Sequence, residues 1–406
     1  MKKIFCITFL LCSMTLIAQE EEPKHKADFD FGKGLNFSLN EGDYQFYISG
    51  FIQPAVSYEK FENQDDDYRF NAKRSFFMLG GKLVKEKLSF LLQTDYSFSD
   101  PLMDAWIGYH PFDWMDIYAG QKQNFVNNRE MLFREDRLQF TDRSLSSQTF
   151  SNTGREFGLF VETDFEVGYG VIVSPKVSIT SGDGRNSFGD NSRDVDFGGA
   201  KIGGRLDIFP LGRFTKGNNL YTADLAHEET IKILVGGAVS ENDGTSSPNG
   251  EGHGEFLLFD KNGKVSLPDY SQVYIDLLAK YKGFSMLLEY TDASVSGINE
   301  IYIDESATTI LAPTQISEFL FLGDSFVGQL GYVTKSGFSF DFRYENTSPE
   351  FDTNANSLLT EFDNYTFGFT KYFDGNNIKL QAAISTTEFD QGPSLTTGEL
   401  LLQIVF

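Results

Sequence analysis

Residues 337–345 read GFSFDFRYE, with an aromatic ring at every second position. Side chains alternate faces along an extended chain, so Phe338, Phe340, Phe342 and Tyr344 share one face. Ser339, Asp341, Arg343 and Glu345 share the other. One such stretch also suits a soluble sheet with one packed and one wet face. Its recurrence constrains the chain far more. About sixteen alternating segments of roughly 10–15 residues follow one another, near the length a tilted membrane strand needs. They are predicted at 44–58, 69–83, 86–99, 102–110, 114–126, 154–166, 168–180, 197–209, 230–240, 271–282, 284–294, 325–335, 337–346, 364–373, 377–388 and 395–406. Each has one mostly apolar face, such as Phe157, Leu159, Val161 and Phe165, opposite Glu156, Glu162 and Asp164.

The links between segments carry a second signal. Short links such as VKE, HPFD, KG, KSG and DGNN alternate with longer ones at 127–153, 241–270, 295–324 and 347–363. A membrane barrel has this parity, with short turns on one side and long loops on the other. A solenoid or a soluble sandwich has no reason for it, and no fixed repeat period is visible. The supposed turn 210–229 is longer than the rule allows, which leaves room for two further strands there.

The two ends agree with export to a membrane. Lys2 and Lys3 precede a nearly apolar run from Ile4 to Ile17, which has the layout of a secretory signal with cleavage expected after Ala18. The expected division is a signal peptide at 1–18, a periplasmic segment at 19–43 and the barrel at 44–406. Both cysteines, Cys6 and Cys12, fall in the signal, so the mature chain would hold neither a disulfide nor a thiolate metal site. The last strand places Leu400, Leu402, Ile404 and Phe406 on one face and stops on an aromatic. Outer-membrane barrels end in this way, and their assembly machinery reads the terminal phenylalanine.

Composition fits a wall that is apolar outside and wet inside. There are 41 Phe and 18 Tyr, yet the mean hydropathy is only −0.27. Hydrocarbon gives a backbone no hydrogen-bond partner, so a sheet in lipid has to close. The fold expected is therefore an all-β, antiparallel up-and-down barrel enclosing water rather than a packed interior, set among outer-membrane lipid and lipopolysaccharide. The formal charge of −24 argues against general nucleic-acid binding, which needs a basic surface. No later apolar run approaches the length of a spanning helix.

The stretch 127–153 is the third outward loop by order, and places Arg129, Arg134, Arg137 and Arg143 among four acidic residues. A narrow passage lined by guanidinium groups would attract oxyanions, whose geometry matches the arginine fork. Folded inward, these arginines are the expected constriction. Lys73, Arg205, Lys232, Lys280 and Arg343 are the expected basic members of the pore wall, opposed by acids that include Asp207, Asp276 and Asp341. Four histidines, His25, His110, His227 and His253, lie far apart without metal spacing, and neither a cofactor nor a catalytic motif is recognised.

The segments RFNAKRSFFMLGGKL, MDAWIGYHP, IYAGQKQNF, FREDRLQFTDRS, GREFG and YIDLLAKYKGFSMLLEY, in that order, resemble the phosphate-selective porins O and P. The resemblance implies a sixteen-stranded, trimeric channel with inward loops and basic residues guiding small anions such as phosphate. It adds Lys122 in GQKQ and Arg155 in GREFG to the constriction, beside Arg143. The net charge departs from a phosphate channel, which keeps a general or carbohydrate-permeable porin open as an alternative. A barrel-embedded hydrolase or an adhesin stands behind both.

Overall fold

A computed structural model describes residues 25–186 and 198–406. The expected signal peptide at 1–18 lies outside the described residues.

The chain opens with a hairpin, β1 (His25–Asp30) and β2 (Gly34–Leu39). The wall then runs through β3 (Tyr44–Phe61), β4 (Asp67–Leu83), β5 (Leu88–Asp95), β6 (Leu102–Phe112) and β7 (Met115–Gln123). It continues with β8 (Arg155–Thr163) and its short extension β9 (Phe165–Gly168), then β10 (Val171–Thr180), β11 (Lys201–Phe209) and β12 (Lys232–Asn242). The remaining strands are β13 (Asp269–Tyr281), β14 (Phe284–Ser296), β15 (Gly323–Val333), β16 (Phe338–Pro349), β17 (Phe362–Asp374), β18 (Ile378–Phe389) and β19 (Leu395–Val405). All sixteen predicted segments are strands, with boundaries shifted by a few residues.

Neighbouring wall strands pair antiparallel all the way round, and β19 closes on β3 with Leu395 opposite Phe61 and Val405 opposite Phe51. Phe406 completes the closure by exchanging two backbone hydrogen bonds of 2.9 Å with Gly50. The fold is a closed sixteen-stranded antiparallel barrel. The expected periplasmic segment is partly strand, because β2 pairs with the start of β3, from Leu35 opposite Ile48 to Leu39 opposite Tyr44.

The period-two pattern holds in three dimensions. On β16, Phe340 is 58% exposed on the outside while Asp341 is 5% exposed on the inside. Pairs such as Phe340 with Phe369 and Phe342 with Phe367 pack across strands on the outer belt. With the wall strands paired to their neighbours all the way round and no open edge, such a belt can face hydrocarbon. The barrel is an outer-membrane barrel.

Two segments enter the lumen and narrow it. From the loop end comes 124–154, carrying the short helix α1 (Leu145–Ser151). From the turn end comes 210–231, which adds no strand to the wall and explains the overlong turn. The loops after β12, β14 and β16 pack together over α1, burying Leu258, Ile301, Leu311, Ile316, Leu320 and Leu359 with Phe150.

Candidate functional site

The inserted loop is seated on the wall by charge and by glycine. Arg129 donates from Nε to Asp276 Oδ1 at 2.8 Å and also pairs with Asp207. Arg205 on β11 pairs with the same two carboxylates, so two guanidinium groups and two aspartates form one buried cluster, with Lys176 at its edge 3.4 Å from Asp207. Glu130 accepts from the Ser144 N–H at 2.8 Å and from Ser147 Oγ at 2.6 Å, which ties α1 to the turn before it. Glycines hollow the wall where the loop touches it. A Cβ at Gly236 would lie 2.4 Å from both Arg129 Nη2 and Arg205 Nη2, and one at Gly331 would lie 1.9 Å from Gln139 Nε2.

The predicted basic residues are thus brought together, but most act as struts. Arg143 donates to the carbonyls of Glu130 at 2.5 Å and Phe133 at 2.7 Å, and pairs with Glu135 at 3.2 Å. Arg155 pairs with Glu135 at 2.9 Å and Asp104 at 3.4 Å. Arg343 lies 3.4 Å from Glu130 and 4.7 Å from the Phe140 ring centre. Burial pushes the Glu135 carboxyl up, yet Arg155 and Arg143 together outweigh it and hold the group well below the usual carboxylate range.

Two expected wall residues and one expected constriction residue, Lys122, do other work. Lys280 is buried with its Nζ on the carbonyls of Asn218, Tyr221 and Ala223, at 2.6, 2.7 and 2.8 Å, so it grips the lower insert. Lys232 sits at the turn-end rim and donates to the Leu211 carbonyl at 2.9 Å. Lys122 pairs with Glu162 at 2.7 Å and lies 4.8 Å from the Tyr118 ring centre.

Open space remains beside β3 and β4. One cavity of about 270 Å³ lies between the loop and the wall, lined by Tyr58, Arg69, Lys73, Phe140, Asp142, Arg343 and Glu399 among others. A second of about 350 Å³ is lined by Lys73, Arg74, Phe76, Met103, Glu135, Asp142 and Arg155 among others. Lys73, Asp142, Arg143 and Gln148 belong to both. At this shared point Asp142 bridges Lys73 and Arg74, each at 2.8 Å, and Lys73 reaches Glu399 at 2.6 Å. Burial pushes the Asp142 carboxyl up, and Arg74 and Lys73 pull it well below the usual range.

Arg74 escaped the sequence reading because strict alternation sends one of two adjacent residues outward. The register slips between Gln53 and Pro54, so β4 bulges at Lys73 and both cations reach Asp142 in the lumen. Pro54, which lacks an N–H for the ladder, was the available hint.

Arg134 and Arg137 stand apart from the struts. Arg134 pairs with Asp136 through two nitrogens, and its guanidinium lies 5.6 Å from the Phe51 ring centre. Arg137 has its nearest carboxylate, Asp136, at 3.9 Å, and among the described residues its Nε has no hydrogen-bond partner. Burial, then the neighbouring Arg134 charge, push its pKa down from the usual guanidinium value. That is the mark of a positive spot short of counter-charge.

The closed, lipid-facing wall finds its match among solved structures. The fold is that of the outer-membrane porins. The anion-selective porin from Comamonas acidovorans superposes with a TM-score of 0.53 at 11% identity, covering 89% of this chain and 100% of that one. OprB of Pseudomonas putida gives 0.54 at 12% identity over 89% and 94%. The outer-membrane channel DcaP of Acinetobacter baumannii gives 0.53 at 12% identity over 90% and 98%. No family model and no curated relative matches the chain. At these identities the porin fold is shared, and kinship with the phosphate-selective porins remains a resemblance of motifs.

Proposed function

We propose that the chain is a passive outer-membrane channel for small polar solutes with a bias towards anions, phosphate included. The observation that carries the bias is Arg137, a lumenal guanidinium with its nearest carboxylate at 3.9 Å. An oxyanion reaching it gains charge-assisted hydrogen bonds that the protein leaves unmade. That one neighbour of the same fold is an anion-selective porin supports the reading. Strict phosphate selection has less support, because Arg129, Arg143, Arg155, Arg205 and Arg343 are all neutralised by carboxylates. We read the chain as a transporter rather than an enzyme. We also infer assembly as a homotrimer, the form in which one neighbour, OmpT of Vibrio cholerae, has been described. Insertion through the assembly machinery would use the strand ending at Phe406.

Purified protein in a planar bilayer should give stepwise conductance, with a reversal potential in a KCl gradient displaced towards the anion. A cation-biased potential rejects the selectivity, and absence of conductance rejects the channel. Phosphate added as a competitor should reduce the chloride current.

A second reading, a carbohydrate-permeable porin, is favoured by the first cavity. Phe140 there stands among Ser57, Asn364, Thr366, Ser385 and Thr397, a set able to pack and hydrogen-bond a sugar. Liposome swelling in neutral sugars faster than in salts of the same size would support it over the anion reading.

A further inference from the structure

The segment 210–231 is too highly organised for a slack turn. Asn218 Nδ2 donates to Asp224 Oδ1 at 2.9 Å and to Glu228 Oε1 at 2.7 Å. Glu228 in turn accepts from the Thr215 N–H at 2.8 Å and from Thr215 Oγ1 at 2.9 Å. Asp224, fully buried, accepts from the Gly283 N–H at 2.8 Å, which ties the knot to the β13–β14 turn. Lys280 closes three of its carbonyls from the wall. Phe214 packs with Phe133 and Leu138 of the upper loop, and Ala223 with Val333 and Tyr372.

This knot meets the upper loop at one place. Thr222 N–H donates to the Arg137 carbonyl at 3.3 Å, and Thr222 Oγ1 accepts from the Gln139 N–H at 2.9 Å. The Tyr221 ring centre lies 5.7 Å from the Arg137 guanidinium, and Tyr47 on β3 is within electrostatic reach of Arg134 and Arg137. The residue with the unmet donor is therefore the one the knot holds from below.

Resting on the channel reading above, we propose that 210–231 is a second constriction element whose Tyr221–Thr222 edge fixes Arg137 as a contact site for small oxyanions. Thr222 is a positioning residue, since it touches the loop backbone at 137 and 139 and no solute. The knot packs at the turn end against β11–β15 and against Tyr372 of β17.

Three full-length variants test this by bilayer recording, with heat-modifiable migration on gels as the check that the barrel has closed. Replacing 213–229 by a short Gly-Ser turn should raise single-channel conductance at least about two-fold and abolish the anion bias. Thr222→Val should keep conductance near wild type while the anion-to-cation permeability ratio falls several-fold and block by inorganic phosphate weakens. Arg137→Gln should do the same, and Arg137→Lys should restore part of the ratio. Closed barrels with unchanged permeability ratio and unchanged phosphate block in both Thr222→Val and Arg137→Gln overturn the proposal. So does an unchanged conductance in the shortened variant. If the wild-type protein itself passes no current, the channel reading has failed before the knot is tested.

Discussion

Asp276→Ala removes one carboxylate from the cluster that anchors the upper loop. Its side chain is wholly shielded and receives Arg129 at 2.8 Å together with Arg205. The change leaves two guanidinium groups sharing Asp207, with Lys176 at the edge, which adds one unit of uncompensated positive charge to a buried site. Breaking a buried pair from one side costs about 3–5 kcal/mol, and Asp207 still serves both arginines, which argues for the lower end. At 1.4 kcal/mol per decade, about 3 kcal/mol shifts the docking equilibrium roughly a hundred-fold. The strain falls on the loop, because Arg205 and residue 276 lie on strands held by ladders on both sides whereas Arg129 does not. The variant should therefore close as a barrel, show a larger and noisier single-channel current, and unfold in urea at a lower midpoint. Adding Arg129→Gln removes that extra charge and should recover at least about 1 kcal/mol in the double-mutant cycle. Simple additivity of the two changes, or a quiet wild-type current in Asp276→Ala, would refute the idea that charge balance holds the loop.

Three other outcomes follow from the same structure. Gly331→Ala puts a methyl group into Gln139, which hydrogen-bonds Ser285, Asp341 and Gln329, so the urea midpoint should fall by the equivalent of about 1–3 kcal/mol. Glu135 has a depressed folded pKa, so its contribution to stability is complete above the ordinary carboxylate range and disappears as pH falls through the folded value. The stability gap between wild type and Glu135→Gln in urea titrations should stay constant from pH 7 to about 5 and shrink below about 4. Spin labels at 338, 340 and 342 should be quenched by lipid-soluble oxygen, labels at 339 and 341 should not, and Phe340→Arg should destabilise the barrel by about 2–4 kcal/mol if it lies at mid-bilayer.

What the sequence made legible was whatever repeats at short range. Phe338, Phe340 and Phe342 announce an outward face because the lipid imposes a period of two on residues only two apart. The inward course of 127–153 followed from counting links, which is also local information. The roles of the arginines were not legible in the same way. Arg129 meets Asp207 and Asp276, partners 78 and 147 residues away, and only closure of the barrel sets them side by side. Read alone, four arginines in one loop look like an anion filter; with their partners in place, Arg129 and Arg143 are fasteners and Arg137 is the residue left over. The knot at 210–231 shows the same limit from the other side. Its excess length was visible, but the residues that shape it, Asn218, Asp224 and Glu228, resemble any polar turn until Lys280 reaches in from β13. On the anion-biased reading proposed above, selectivity is therefore a remainder: it belongs to the loop arginine that the long-range pairing of the fold leaves with the most distant counter-charge.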